Sequence, residues 1–163
     1  MITGADIGII APYAAQIKLI DRLLKVDEAY REHFIKVLGR HRALQTLDIE
    51  VKTVDGFEGR EKEIIVFSTV RSNSNGHIGF LADRRRLNVG LTRAKRGLFI
   101  IGNMNTLQEG KVGFFRSIDD AARTPTIPHG DMEGQVWRRF IDFMLAQQLV
   151  KRLHGTHLAT GPT

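Results

Sequence analysis

Arg84, Arg85, Arg86, Arg93, Lys95 and Arg96 crowd six cations into a short run of this chain. Guanidinium groups suit phosphoryl chemistry, because each stays charged and its planar fork donates hydrogen bonds to two oxygens at once. Read as a helix, Arg84 to Lys95 puts Leu87, Leu91 and Ala94 on a buried stripe. Arg86, Gly90 and Arg93 share another face. Given ~1.5 Å rise per residue, the two arginines of that face stand about 10 Å apart. The glycine between them leaves room for an approaching ligand. An arginine set against a terminal phosphate stabilises transition-state charge and can be worth ~10³ or more in rate. A generic basic helix face is more often simply solvated, so the weight falls on what surrounds it.

The second stretch with chemical potential is the turn VDGFEGREKE. Gly56 and Gly59 flank a tight reversal, and glycine lets backbone N–H groups approach a ligand closely. Glu61 follows, where a carboxylate can accept hydrogen bonds from ribose hydroxyls. From spacing alone, an ordinary loop with a surface ion pair accounts for it equally well. No G-x-x-x-x-G-K-S/T loop occurs, so the chain cannot cradle a triphosphate by that device alone. The chain has no cysteine, which removes disulfides, thiolate zinc sites and cysteine nucleophiles. Its six histidines are scattered without metal-ligand spacing, and no G-x-S-x-G elbow is present. No metal site is expected.

The elements that must position these residues follow from the apolar pattern. Ile7 to Pro12 reads as a short buried strand. A helix follows with Ile17, Ile20, Leu23 and Leu24 on one face. A second covers Asp27 to Leu38 with Tyr30, Phe34 and Val37 as its stripe. Ile49 to Thr53 alternates as a half-buried strand does. Ile64 to Val70 and Leu98 to Ile101 are apolar on both faces, as in buried parallel strands, with Gly97 breaking the arginine helix before the latter. Strands alternating with helices give an α/β fold with a mostly parallel sheet. This order places the turn and the cations at the ends of buried strands, where phosphate-bearing ligands sit in open α/β sheets. Thr124 to Gly134 reads as a loop. Glu133 to Leu149 reads as a helix with Val136, Trp137, Phe140, Met144 and Leu145 inward, and residues 151–163 as a disordered tail. The Phe114–Phe115 pair is assigned to packing.

The length of 163 residues suits one domain. The net charge of +6 and pI of about 10.0 favour polyanionic partners. No apolar run approaches the ~20 residues of a bilayer span. No secretory signal is visible at MITGADIGII, and an intracellular location, nuclear or cytoplasmic, is expected.

Three segments together resemble a known family. IAPYAAQ, TVDGFEGREKEIIVFSTVRSN and GFLADRRRLNVGLTRAKRGLFIIGN are similar to the C-terminal motifs of superfamily 1 helicases, in the RNA-surveillance and senataxin-like branch. The patterns of that branch are TPYxxQ, TVDxFQGxExDxIIxSxVRSN and GFLxDxRRLNVALTRAxxxLxIxGN. The resemblance covers about half the chain, in the right order. It implies a single RecA-like, P-loop NTPase-type domain over residues 1–150, the second of the two that clasp ATP in an ATP-dependent helicase or translocase. By position, Arg93 falls on the arginine finger, Glu61 on the ribose contact, Gly59 on the loop glycine beside the phosphates and Arg86 on a supporting contact. Tyr13, Gln16, Thr53, Ser68 and Arg71 fall on segments that face single-stranded RNA or DNA.

The resemblance further implies that ATP and Mg²⁺ are held mainly by an N-terminal RecA-like domain, that the chain alone hydrolyses no ATP, and that it is a monomer. Departures are Ala11 where threonine is usual, Glu58 where glutamine is usual, and segments 25–47 and 108–136, which look expanded. The alternative is a free-standing RecA-like module that binds RNA or a protein without catalysis.

Overall fold

A computed structural model describes residues 1–111 and 130–153, with the backbone alone for 130–134. Four strands form one parallel sheet: β1 (Ile7–Ala11), β2 (Glu50–Thr53), β3 (Lys62–Ser68) and β4 (Ala94–Ile101), in the order β2-β1-β3-β4. The order reverses between β1 and β3, the switch point of an open α/β sheet. Ile10, Ile65 and Phe67 are almost wholly buried along these two central strands. Parallel strands joined through helices are the α/β architecture that the alternation of apolar runs predicts, and it is consistent with the RecA-like domain that the resemblance implies.

The residues fall into two compact units. The first holds the sheet and three helices, α1 (Ala14–Lys25), α2 (Glu28–Leu38) and α3 (Arg40–Leu44). Local chemistry sets their limits. Tyr13 is the N-cap of α1 behind Pro12, and Arg22 and Lys25 lie in its last turn, where cations suit the helix dipole. Asp27 caps α2 by accepting a hydrogen bond from the Tyr30 N–H at 3.2 Å, and Gly39, at φ +79°, ends it. Phe57, fully buried, anchors the short 3₁₀ turn Asp55–Phe57 that follows β2.

The second unit holds, among the described residues, 71–87, 102–111 and 130–150, with α5 (Met104–Glu109) and α6 (Gly130–Ala146). Its core includes Ile78, Leu81, Leu87, Leu107, Trp137 and Ile141. The indole N–H of Trp137 donates to the Leu81 carbonyl at 2.9 Å, which satisfies the one polar atom of a residue 1% exposed. α4 (Arg84–Leu91) contributes its first four residues to this unit and the rest to the first.

The structure departs from the sequence reading in five places. The arginine helix stops at Leu91, and Ala94 to Gly97 belong to β4. The Thr92 hydroxyl bonds the Asn88 carbonyl at 2.8 Å while the Lys62 N–H takes the Arg93 carbonyl at 3.1 Å, so β3 captures backbone that helical periodicity would continue. Strand β4 is not buried on both faces: it is the sheet edge among the described residues, with Phe99 59% and Ile101 52% exposed. Val37, 63% exposed, leaves the α2 stripe. Gly130 to Gly134 belong to α6 rather than a loop. Leu145 is exposed at the end of α6, and Ile141 takes the inward place. The remaining loop residues before Gly130, Phe114, Phe115 and the tail from His154 lie outside the described residues.

Candidate functional site

In a parallel sheet, the residues just before neighbouring strands lie side by side at one edge. Lys62 pairs with Ala94 in the β3–β4 register. Glu61 and Arg93 each precede one of that pair. Two residues far apart in sequence are thereby neighbours, on strands about 4.8 Å apart. They sit at the amino ends of the strands, not at the carboxyl-terminal crest that the sequence reading expects, because each comes immediately before its strand. The amino edge is dense in charge. Glu61 faces Lys95 at 3.8 Å, Glu63 pairs with Arg96 at 2.8 Å, and Glu50 meets Arg60 and Lys62. The Glu61–Lys95 pair is about half exposed on both sides, so solvent screens it and the carboxylate remains available to a ligand.

Arg93 folds back on the end of α4. Its Nε donates to the Val89 carbonyl at 3.0 Å and Nη2 donates to the Thr92 hydroxyl at 3.0 Å. A guanidinium has five N–H donors, so among the described residues three stay open for an anion while the other two fix its plane. Gly59 stands nearby in sequence at φ +72°, and a Cβ there would meet nothing within 4 Å. Its backbone is therefore open to a close approach, which is what a phosphate needs.

The shared face of Arg86, Gly90 and Arg93 does not exist, since Arg93 is beyond the helix. Gly90 does not open a path for ligand either: a Cβ there would lie 2.4 Å from the Phe67 ring, so glycine lets α4 press onto β3. Arg86 is engaged within its own unit, 4.0 Å over the Phe80 ring and 3.8 Å from Asp83.

Four of the five residues assigned to nucleic acid sort to the opposite edge. Tyr13 and Gln16 follow β1, Thr53 ends β2 and Ser68 ends β3, all at carboxyl termini of parallel strands. The Thr53 hydroxyl accepts a hydrogen bond from the Gly56 N–H at 3.2 Å and so ties the strand end to the glycine turn. Arg71 belongs to the second unit, with its guanidinium packed on Gly79. Ala11 is fully buried, so the hydroxyl missing there would not have faced solvent. Glu58 is exposed.

Residue types alone give no reason to single out Thr69 and Val70. Thr69 is fully buried and its hydroxyl is the buried side-chain atom that finds no hydrogen-bond partner among the described residues. Val70 adopts φ +64°, an outlier for a β-branched residue. A run reading Ser-Thr-Val looks like continuing strand, so no local signal marks the break. Strain and an orphaned polar group at a strand end are features that cluster at functional sites.

The AAA domain family matches residues 1–105, and the chain belongs to that family. It is 43% identical over 132 residues to "Helicase sen1" of Schizosaccharomyces pombe, covering 80% of this chain and 7% of that protein. It is 43% identical over 103 residues to "DNA polymerase alpha-associated DNA helicase A" of Saccharomyces cerevisiae, covering 63% and 13%. It is 47% identical over 103 residues to "Regulator of nonsense transcripts 1 homolog" of Neurospora crassa, covering 63% and 8%. The chain thus spans about a tenth of the length of these curated relatives.

Proposed function

We propose that this chain is the second RecA-like domain of an ATP-dependent superfamily 1 helicase or translocase that acts on single-stranded RNA or DNA inside the cell. The observation that carries the reading is the β3–β4 register, which sets Glu61 beside Arg93 with the open Gly59 backbone close by in sequence. A carboxylate for ribose hydroxyls and a guanidinium for a terminal phosphate then lie at one edge. Two of the three relatives bear helicase names, and all three extend far beyond the matched region, which supports a nucleotide bound largely by another domain.

ATP, when bound there, supplies the phosphoanhydride that is cleaved, and the Mg²⁺ it carries belongs to the P-loop domain. Among this chain's own residues, Glu61 orients the ribose and Gly59 offers backbone donors near the phosphates. Arg93 places its open N–H groups where charge develops on the transferred group. Tyr13, Gln16, Thr53 and Ser68 grip the strand at the opposite edge of the first unit. Arg86 acts as a support through its own contacts to Phe80 and Asp83.

The test is Arg93→Ala in the intact protein. ATP turnover should fall by ~10³ or more, while ATP binding measured by equilibrium titration is largely retained. Equal loss of binding and turnover would remove the finger role.

A further inference from the structure

Exposed large apolar side chains concentrate in one segment of the first unit. Ile35, Val37 and Leu38 on α2, Leu44 on α3 and Leu47 just after it are all exposed. On α2, Glu28, Arg31, Glu32, Ile35 and Leu38 share one exposed face, with both carboxylates in the first half of the helix. From Ile35 to Leu47 the chain carries Lys36, Arg40 and Arg42 and no carboxylate. None of these three cations forms an ion pair or side-chain hydrogen bond among the described residues, although ion pairs are common on the rest of the unit. α2 and α3 pack against each other about Gly39, so the apolar and cationic residues belong to one helical hairpin.

We infer that the α2–α3 hairpin is a docking surface for an acidic amphipathic helix of a protein partner. Aliphatic side chains in water are anchors for other apolar side chains. The unpaired lysine and arginines around them complement Asp and Glu on the polar flanks of such a helix. Single-stranded nucleic acid fits less well. It is gripped by aromatic stacking, and the aromatic rings of this segment, Tyr30 and Phe34, are half-buried with centroids 6.3 Å apart. The surface does not involve the Glu61–Arg93 edge, so the inference stands apart from the proposed catalytic role.

The experiment uses the 163-residue chain and a fluorescein-labelled helical peptide with Leu at i, i+3, i+4 and i+7 and Glu at most other positions. A scrambled peptide of the same composition is the control. The patterned peptide should bind about tenfold more tightly than the scrambled one, and Leu38→Glu combined with Leu44→Glu should remove about tenfold in affinity. Arg40→Gln with Arg42→Gln should weaken binding and flatten its salt dependence. Hydrogen exchange on the unaltered chain should show new protection at residues 31–47, which keeps the test decisive even where a variant folds poorly. The inference is overturned by equal binding of both peptides, by no binding, or by protection elsewhere. Displacement of the peptide by single-stranded RNA or by anionic vesicles would overturn it too, as would chain dimerisation abolished by the Leu38 and Leu44 changes.

Discussion

The two edges of one sheet differ in kind. The amino edge of β3 and β4 is built from charge: Arg60, Lys62, Arg93, Lys95 and Arg96 interleave with Glu50, Glu61 and Glu63. The named residues of the carboxyl edge are a phenol, an amide and hydroxyls, with backbone strain at Val70 and an unsatisfied hydroxyl at Thr69. Charge held at fixed positions suits a small, highly charged ligand whose reaction moves charge. Hydroxyl, amide and phenol groups suit hydrogen bonds and stacking along a long polymer. The strands run between the two edges and hold the two chemistries apart.

The largest effect that would test this division is Arg93→Ala, which should leave nucleotide-free nucleic-acid affinity unchanged, by filter binding or anisotropy, while turnover collapses. Tyr13→Ala in the intact protein should weaken single-strand binding by about tenfold with KM for ATP unmoved. If KM shifts as well, the edges are not separable. Glu61→Ala should do the reverse, raising KM for ATP by about tenfold and sparing strand affinity. Val70→Asn should stabilise the chain by about 1 kcal/mol in urea unfolding, because Asn tolerates the left-handed region that costs a β-branched residue energy. A loss of stability would mean that packing of the valine outweighs the strain.

The smallest effect lies away from both edges. The Thr3 N–H and hydroxyl each donate to the Asp6 carboxylate at 2.8 Å, and these bonds, the backbone one foremost, hold its pKa below the ordinary value. A depressed carboxylate contributes stability above its unfolded pKa of about 3.9 and loses it as pH falls through the folded value. Asp6→Asn should therefore cost stability at neutral pH, and the difference from the parent chain should vanish in acid. A pH-independent difference would rule out the ionised carboxylate as its source.

Much of the sheet was legible in the amino-acid pattern. The runs around Ile7, Val51, Ile64 and Leu98 all became strands, and the apolar run of β3 marked it as central. What could not be read was fixed by pairing partners. Thr92 to Lys95 keep helical periodicity, yet Lys62 takes the Arg93 carbonyl and strand begins. The adjacency of Glu61 and Arg93 needs the register, which no local window contains. The same holds for Gly90, whose lack of a side chain looked like an opening and is a seat for the Phe67 ring. The motif residues themselves were visible as types, but which edge each occupies depends on whether it precedes or follows its strand. Val70 was invisible because its conformation opposes its own propensity.

Strand β4 carries a practical consequence. Its outer rim leaves Phe99 and Ile101 in water beside a row of backbone groups with no neighbouring strand among the described residues. Such a border is a template for a second molecule to add strand on strand. Whoever purifies the chain by itself should plan for concentration-dependent clumping, and a lysine in place of Phe99 is the simplest remedy for keeping stocks dispersed.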